Sequence, residues 1–156
     1  MENKLIIFPI VGLLIIAMAV AQTSQDISVS AEIPTFVSVV FNYDSVNFGT
    51  VNPGFTHHPA PDQALGRYNV TVATNVDVSV IVQRSPWIPN DVLVLGFACG
   101  DPLPLVPAYT VTTTSQVVDT LSPGEYTHYH GYWLTVPIDT PPGNYSTTVS
   151  ITYEPA

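Results

Sequence analysis

Two pairs of histidines are the residues of this sequence best suited to hold a metal ion. His57 and His58 are adjacent, and His128 and His130 are two residues apart, so that the second pair shares one face of a predicted strand. Imidazole nitrogens bind Zn²⁺ and Cu²⁺. The spacing places no Asp, Glu or Cys beside either pair, so we expect exposed histidines in a loop and at a strand end, with no metal and no cofactor.

A second candidate for chemistry is Cys99, which is the only cysteine of the chain. No intrachain disulfide can form, and the apolar run at residues 92–99 predicts a buried, unreactive thiol. A cupredoxin-like copper site needs a methionine as well as a histidine downstream of the cysteine. Met1 and Met18 both fall in the N-terminal leader, which argues against that site.

Two Asn-x-Ser/Thr sequons are predicted sites of N-glycosylation, at Asn69 and Asn144. The next residues, Val70 and Tyr145, belong to the apolar side of alternating segments. We therefore expect both asparagines to face solvent.

Neither the motifs nor the charge indicates an enzyme or a nucleic-acid-binding protein. The sequence has no Gly-x-Ser-x-Gly, HExxH or phosphate-loop motif, and we predict no catalytic activity. The net charge is −9, and Arg67 and Arg84 are the only Lys or Arg residues beyond residue 21. Nothing is available to neutralise phosphates, which argues against nucleic acid and anionic membranes as partners.

The first 21 residues resemble a secretory signal peptide. An apolar run covers residues 5–21 and ends in Ala19-Val20-Ala21, a small-x-small cleavage signal. We expect residues 1–21 to be removed and the secreted protein to have no membrane tether. The alternative is that the run stays as the helical filament core of a type IV-like pilin.

The remaining sequence predicts an all-β domain at residues 35–156. The chain has 15 prolines and 9 glycines, which separate short runs rich in Val, Thr and Tyr, and no run has helical periodicity. Strands are predicted within residues 36–48, 68–83, 92–98, 109–113, 116–120, 125–137 and 145–153, with a bend at residues 74–75. Eight to ten strands suit an immunoglobulin-like or jelly-roll sandwich with a protruding N-terminal strand.

Residues 26–43 alternate apolar and polar side chains over a length unusual for one strand. Pro34 cannot donate to a β-ladder and divides the run, so we interpret residues 22–34 as a separate strand and hinge. One alternative folds that strand into its own sandwich as an edge. We favour the other, in which this strand is donated to a neighbouring copy with Ile27, Val29, Ala31 and Ile33 as apolar anchors.

Two longer segments carry a resemblance to a known group of proteins. Residues 46–54 (VNFGTVNPG) resemble a corner of many secreted prokaryotic β-sandwiches, and residues 133–152 (WLTVPIDTPPGNYSTTVSIT) resemble their closing hairpin. With the leader and the N-terminal strand, the chain resembles subunits of archaeal extracellular filaments, the donor-strand-linked threads and bundling pili of TasA-like architecture. The resemblance implies an extracellular homopolymer on the cell surface that contacts neighbouring filaments or cell surfaces and supports adhesion or biofilm.

A further alternative is a monomeric carbohydrate-binding or adhesive module. Trp87, Tyr129 and Trp133 would then form an exposed aromatic platform.

Overall fold

The computed structural model of the protein describes residue 28 and residues 30–156. The predicted signal peptide and the anchors Ile27 and Val29 lie outside the described residues. The chain divides into two compact units, Met1–Glu32 and Ile33–Ala156, and the fold below is that of the second. Its strands are β1 (Val37–Phe41), β2 (His58–Pro59), β3 (Asn69–Thr74), β4 (Val78–Arg84), β5 (Val94–Gly100), β6 (Tyr109–Val111), β7 (Gln116–Leu121), β8 (Gly124–Thr135) and β9 (Val149–Pro155).

The strands form two antiparallel sheets, which confirms the predicted all-β sandwich. The larger sheet has the order β1-β3-β8-β5-β6, with β2 paired to β8 beside it, and the smaller sheet has the order β7-β4-β9. Val78, Val80 and Val82 alternate along β4 and are fully buried, as the period of a half-buried strand requires. The predicted bend falls between β3 and β4, where Thr74 Oγ1 accepts a hydrogen bond from the backbone N–H of Val76.

The interior lies between the sheets, and β5 is buried on both faces as its apolar sequence predicts. Leu95 and Phe97 face the interior, whereas the intervening Gly96 is covered from outside by Pro107. Trp133 of β8 also lies on the outer face and is buried. Its ring lies against Gly131, where a Cβ atom would stand 2.5 Å from the indole.

The structure departs from the predicted strand at residues 36–48, because β1 ends at Phe41. Asn47 Oδ1 accepts a hydrogen bond from the backbone N–H of Gly49, whose positive φ of 66° is incompatible with an extended strand. The segment nevertheless packs against the core through four partly buried side chains: Tyr43, Val46, Phe48 and Val51.

Two further boundaries differ from the prediction. The predicted loop at residues 55–66 contains the short strand β2, which pairs with Trp133 and Leu134 of β8. The last strand begins at Val149 rather than at residue 145, and Ser146 forms only an isolated bridge with Ile88. Within the part of the chain that the structure describes, no helix has the length and apolarity needed to cross a membrane.

Candidate functional site

The smaller sheet ends at β9, which is the first candidate for an interaction site. Among the described residues, β9 pairs only with β4. Val149, Ile151 and Tyr153 of β9 are packed against the core but are only partly buried. The neighbouring strand β4 buries its core-facing valines completely. The interior is therefore less well covered at β9 than one strand further in.

At this edge the backbone of β9 also has hydrogen-bonding groups that find no backbone partner among residue 28 and residues 30–156. Ser85 N–H donates to Thr148 C=O, and Ala156 N–H donates to Asp77 C=O, so the even-numbered residues of this segment bond to β4. In an antiparallel ladder the alternate residues point their N–H and C=O groups the other way. The outward groups belong to Val149, Ile151 and Tyr153, the same residues whose side chains face the interior. An added strand would find both an apolar surface and a ladder there.

The predicted donor segment is only partly within the described residues. Ala31 and Ile33 are exposed and lie in no strand, and Ile33 has 81% of its surface accessible. Beyond the hinge, Asn75 fixes the entry into β1, because its side chain donates to Pro34 C=O and accepts from Phe36 N–H. Strand donation by residues 22–33 stays a prediction.

The two sequon asparagines differ in their surroundings. Asn144 is exposed in the loop before β9. Asn69 is partly buried in β3, and its Nδ2, the atom that would carry a glycan, donates 2.8 Å to Gly66 C=O. Asn69 Oδ1 in turn accepts a hydrogen bond from Asn42. Glycosylation stays a prediction at both sites, and the geometry favours Asn144.

The second candidate site is a group of polar side chains between the sheets, and here the expectation for the histidines was wrong. His128 and His130 are buried on the core-facing side of β8, not exposed at a strand end. Strand pairing sets Cys99 of β5 opposite His130, and Asp119 comes from β7 in the other sheet. We call Cys99, Asp119, His128, His130 and Tyr153 the inter-sheet cluster. The other pair, His57 and His58, lies before and within β2, and His57 is exposed.

Asp119 is the centre of one end of the inter-sheet cluster. Its Oδ2 lies 3.0 Å from His128 Nε2 and 3.8 Å from Cys99 Sγ. The three donor atoms all lie within 4.8 Å of one another. The side chain of His128 is 5% exposed and that of Asp119 is 36% exposed, so solvent reaches this end from the Asp119 side.

From Asp119 a chain of hydrogen bonds runs inward through Tyr153. Its hydroxyl lies 3.1 Å from His128 Nδ1 and 2.9 Å from His130 Nε2. A carboxylate only accepts hydrogen bonds, so His128 Nε2 must donate to Asp119 and the neutral ring must accept at Nδ1. The Tyr153 hydroxyl therefore donates to His128, and His130 Nε2 donates to Tyr153.

The same logic fixes the rest of the chain. Because neutral His130 carries its proton on Nε2, its Nδ1 accepts from the hydroxyl of Tyr43. Tyr43 in turn accepts from Tyr132, whose hydroxyl lies 2.7 Å away. One set of proton positions thus satisfies every polar side chain from Tyr132 to Asp119.

Burial shifts the pKa values of these groups toward their neutral forms. It lowers the pKa of His130 to about 3, with a smaller contribution from the neighbouring His128. It lowers the pKa of His128 as well, against the opposing charge of Asp119. Burial and the nearby Asp119 carboxylate raise the pKa of the Cys99 thiol to about 12. Both histidines are therefore neutral at neutral pH, and Cys99 is a thiol.

Spacing alone did not reveal the inter-sheet cluster, because its members come from β5, β7, β8 and β9. The one usable signal was the i, i+2 pattern of His128 and His130, which predicts one shared face. That this face is the core face follows from Tyr132 and Leu134, which continue the same parity and are buried.

The aromatic platform predicted for a carbohydrate-binding module is wrong. Trp87 and Trp133 are both buried, and only Tyr129 retains partial exposure. These three residues therefore offer no flat exposed surface for a sugar ring.

No protein-family model matches the chain, and no curated protein matches it either. The functional conclusion therefore depends on the sequence and on the geometry of the β-sandwich.

Proposed function

We propose that the protein is a secreted structural subunit that polymerises into an extracellular filament by β-strand addition. Residues 22–33 of one copy pair with the edge of β9 that lies away from β4 in the next copy. The filament is a surface structure of the pilus or thread kind, and it supports adhesion or biofilm.

The observation that carries this proposal is the incomplete burial at β9. Val149, Ile151 and Tyr153 recur every second residue, and so do the apolar anchors of the donor segment. A strand with this period inserts its apolar side chains toward the core while its backbone bonds to the ladder. On the β9 side of the sandwich, the ring of Phe41 lies 6.2 Å from that of Tyr153 and adds an exposed apolar surface.

The gain from apolar burial and the cost of association are of similar size, so the ladder hydrogen bonds also contribute to each contact. Burying Ile27, Val29 and Ile33 contributes about 5–9 kcal/mol in total, before the ladder hydrogen bonds. Association opposes this with about 4–15 kcal/mol of lost freedom. The donor and the acceptor are different surfaces of the same chain, so the contact does not close on itself and an open filament results.

The decisive experiment is deletion of residues 22–33. The truncated protein is expected to form no filaments in electron micrographs and to bind an added peptide of that sequence. The peptide should raise its thermal midpoint. Normal filament formation by the truncated protein overturns the proposal.

A paired set of substitutions separates the two faces of the donor. Val29→Ser with Ile33→Ser removes anchors and should abolish assembly, whereas Ser28→Ala with Ser30→Ala changes the opposite face and should leave assembly intact. Equal effects of the two pairs argue against insertion of a strand.

The mass of the filament subunit shows whether residues 1–21 have been removed. A subunit that retains them indicates a pilin-like helical core instead of strand donation.

A further inference from the structure

We propose that Cys99, Asp119 and His128 form a binding site for one Zn²⁺ ion. The proposal does not rest on filament assembly, although Tyr153, which contacts His128, also lies in β9. It joins the two sheets of the sandwich, since Cys99 and His128 belong to the larger sheet and Asp119 to the smaller one.

Two of the three donor separations are close to those that zinc requires, and the third, between Cys99 and His128, is within 4.8 Å. Zinc bonds of about 2.0–2.3 Å at tetrahedral angles place neighbouring ligand atoms about 3.3–3.8 Å apart. Cys99 Sγ and Asp119 Oδ2 are 3.8 Å apart, and Asp119 Oδ2 and His128 Nε2 are 3.0 Å apart. Asp119 Oδ2 and His128 Nε2 must move apart by a few tenths of an ångström to admit the ion. Because Asp119 is partly exposed, rotation of its side chain provides this movement.

The chemistry of the donor set selects the metal. One thiolate, one imidazole and one carboxylate suit Zn²⁺, whereas Mg²⁺ and Ca²⁺ prefer oxygen ligands alone. Thiolate and carboxylate together carry two negative charges, which the dication balances in a partly buried place. The fourth position faces the solvent-accessible side of Asp119 and holds a water molecule.

Zinc binding releases one proton from the protein. The Cys99 thiol gives its proton to the buffer as the Zn–S bond forms, and Zn²⁺ takes the lone pair of His128 Nε2. The proton of His128 then resides on Nδ1, which lies 3.1 Å from the Tyr153 hydroxyl oxygen and donates a hydrogen bond to it.

Zinc titration of the full-length chain, stripped with a chelator and kept reduced, tests the site. We expect one Zn²⁺ per chain, a higher thermal midpoint with zinc, and release of one proton per zinc in calorimetry repeated in two buffers. Co²⁺ as a spectroscopic probe should give tetrahedral visible bands and a thiolate-to-metal charge-transfer band.

Variants assign the ligands. Cys99→Ser should remove the charge-transfer band, and Asp119→Asn and His128→Gln should weaken zinc binding by more than the 10–100-fold expected from loss of an outer-shell partner. Tyr153→Phe keeps all three ligands and should weaken binding by about 10–100-fold. The matched control is His57→Gln with His58→Gln, which changes the other histidine pair and should leave binding unchanged.

Two results overturn the proposal. One is the absence of stoichiometric zinc binding by the unmodified chain. The other is a wrong ligand assignment, shown either by unchanged zinc affinity in Cys99→Ser or by loss of binding in the His57 and His58 double variant. Because Cys99→Ser is close in size to the native residue, its thermal midpoint without zinc shows whether the fold is kept.

Discussion

At the scale of single residues, His130 is the most constrained titratable group of the sandwich. It is fully buried, and both ring nitrogens have hydroxyl partners, Tyr43 at Nδ1 and Tyr153 at Nε2. Hydrogen bonds to both nitrogens offset the loss of hydration for the neutral ring but not for the imidazolium. Burial accordingly lowers the pKa of His130 to about 3, from 6.5.

This depressed pKa predicts loss of stability in mild acid. The unfolded chain gains a proton at His130 as the pH falls through about 6.5, while the folded chain does not until about pH 3. The contribution of His130 to stability is therefore complete above pH 6.5 and declines below it. Between pH 7.5 and pH 5 the free energy of unfolding should fall by about 2 kcal/mol from this residue alone.

Denaturant titrations at several pH values measure this slope. His130→Gln should be less stable at pH 7.5 and should lose part of the slope between pH 6.5 and pH 5. His57→Gln is the control, since His57 is exposed. A slope that is the same in His130→Gln and in the native chain contradicts the assignment.

At the scale of elements, β8 is the strand that organises the larger sheet. It pairs with β3, β5 and the short β2. Its two faces carry different kinds of side chain. The inner face carries His128 and His130, and the outer face carries Trp133 against Gly131. Glycine at residue 131 is needed because a Cβ atom there would overlap the indole.

Gly131→Ala is predicted to destabilise the sandwich. The added methyl group would lie 2.5 Å from the Trp133 ring, so the ring or the strand must shift. Overpacking of this kind costs about 1–3 kcal/mol. Gly143→Ala is the matched control, because its Cβ would meet Tyr145 at an ordinary 3.7 Å. Thermal unfolding of both variants makes the comparison, and equal midpoints would argue against the clash.

The edge of β9 that lies away from β4 allows a second prediction at the element scale, which concerns two adjacent residues. Val149→Pro removes an outward N–H and keeps the ladder with β4, so the subunit should fold but assemble poorly. Ser150→Pro removes an N–H that points toward β4, so the subunit itself should be destabilised. Circular dichroism and electron microscopy of the two variants separate the effects. Normal filaments from Val149→Pro would count against β9 as the acceptor.

Local sequence patterns predict some elements of this fold and miss others. The alternation of β3 and β4, the bend between them and the doubly buried β5 all follow from local patterns. The early end of β1 does not, because it depends on Asn47 and the positive φ of Gly49. The inter-sheet cluster does not either, because Asp119 meets His128 only after two sheets have packed, a pairing that local periodicity does not encode.

At the scale of the whole molecule, charge is scarce and predominantly negative. The net charge is −9, and removal of residues 1–21 would leave it unchanged, because Glu2 and Lys4 cancel. The proposed bond between subunits is apolar and backbone-mediated, so it responds little to salt. Lateral contacts between the proposed filaments would bring like charges together and would be repulsive at low ionic strength.

Salt is therefore predicted to promote lateral bundling without changing filament assembly. The Debye length falls from about 30 Å at 0.01 M to about 3 Å at 1 M ionic strength, which screens the repulsion between filaments. Light scattering and electron microscopy across this range follow bundling, and a sedimentation assay follows assembly. Bundles that disperse as salt rises would show that ion pairs hold the filaments together.

The hydrogen-bond chain from Tyr132 to Asp119 has a direction, and that direction is set at a single end. Each hydroxyl and each ring donates one hydrogen bond to the next group toward the carboxylate, so the orientation of all five bonds depends on Asp119 being an acceptor. If zinc takes His128 Nε2, the ring donates to Tyr153 instead, Tyr153 turns toward His130, and the reversal travels to Tyr43. Zinc binding at Asp119 would then change the tautomer of the buried His130. The nitrogen chemical shifts of the His130 ring, measured by NMR, would report that change.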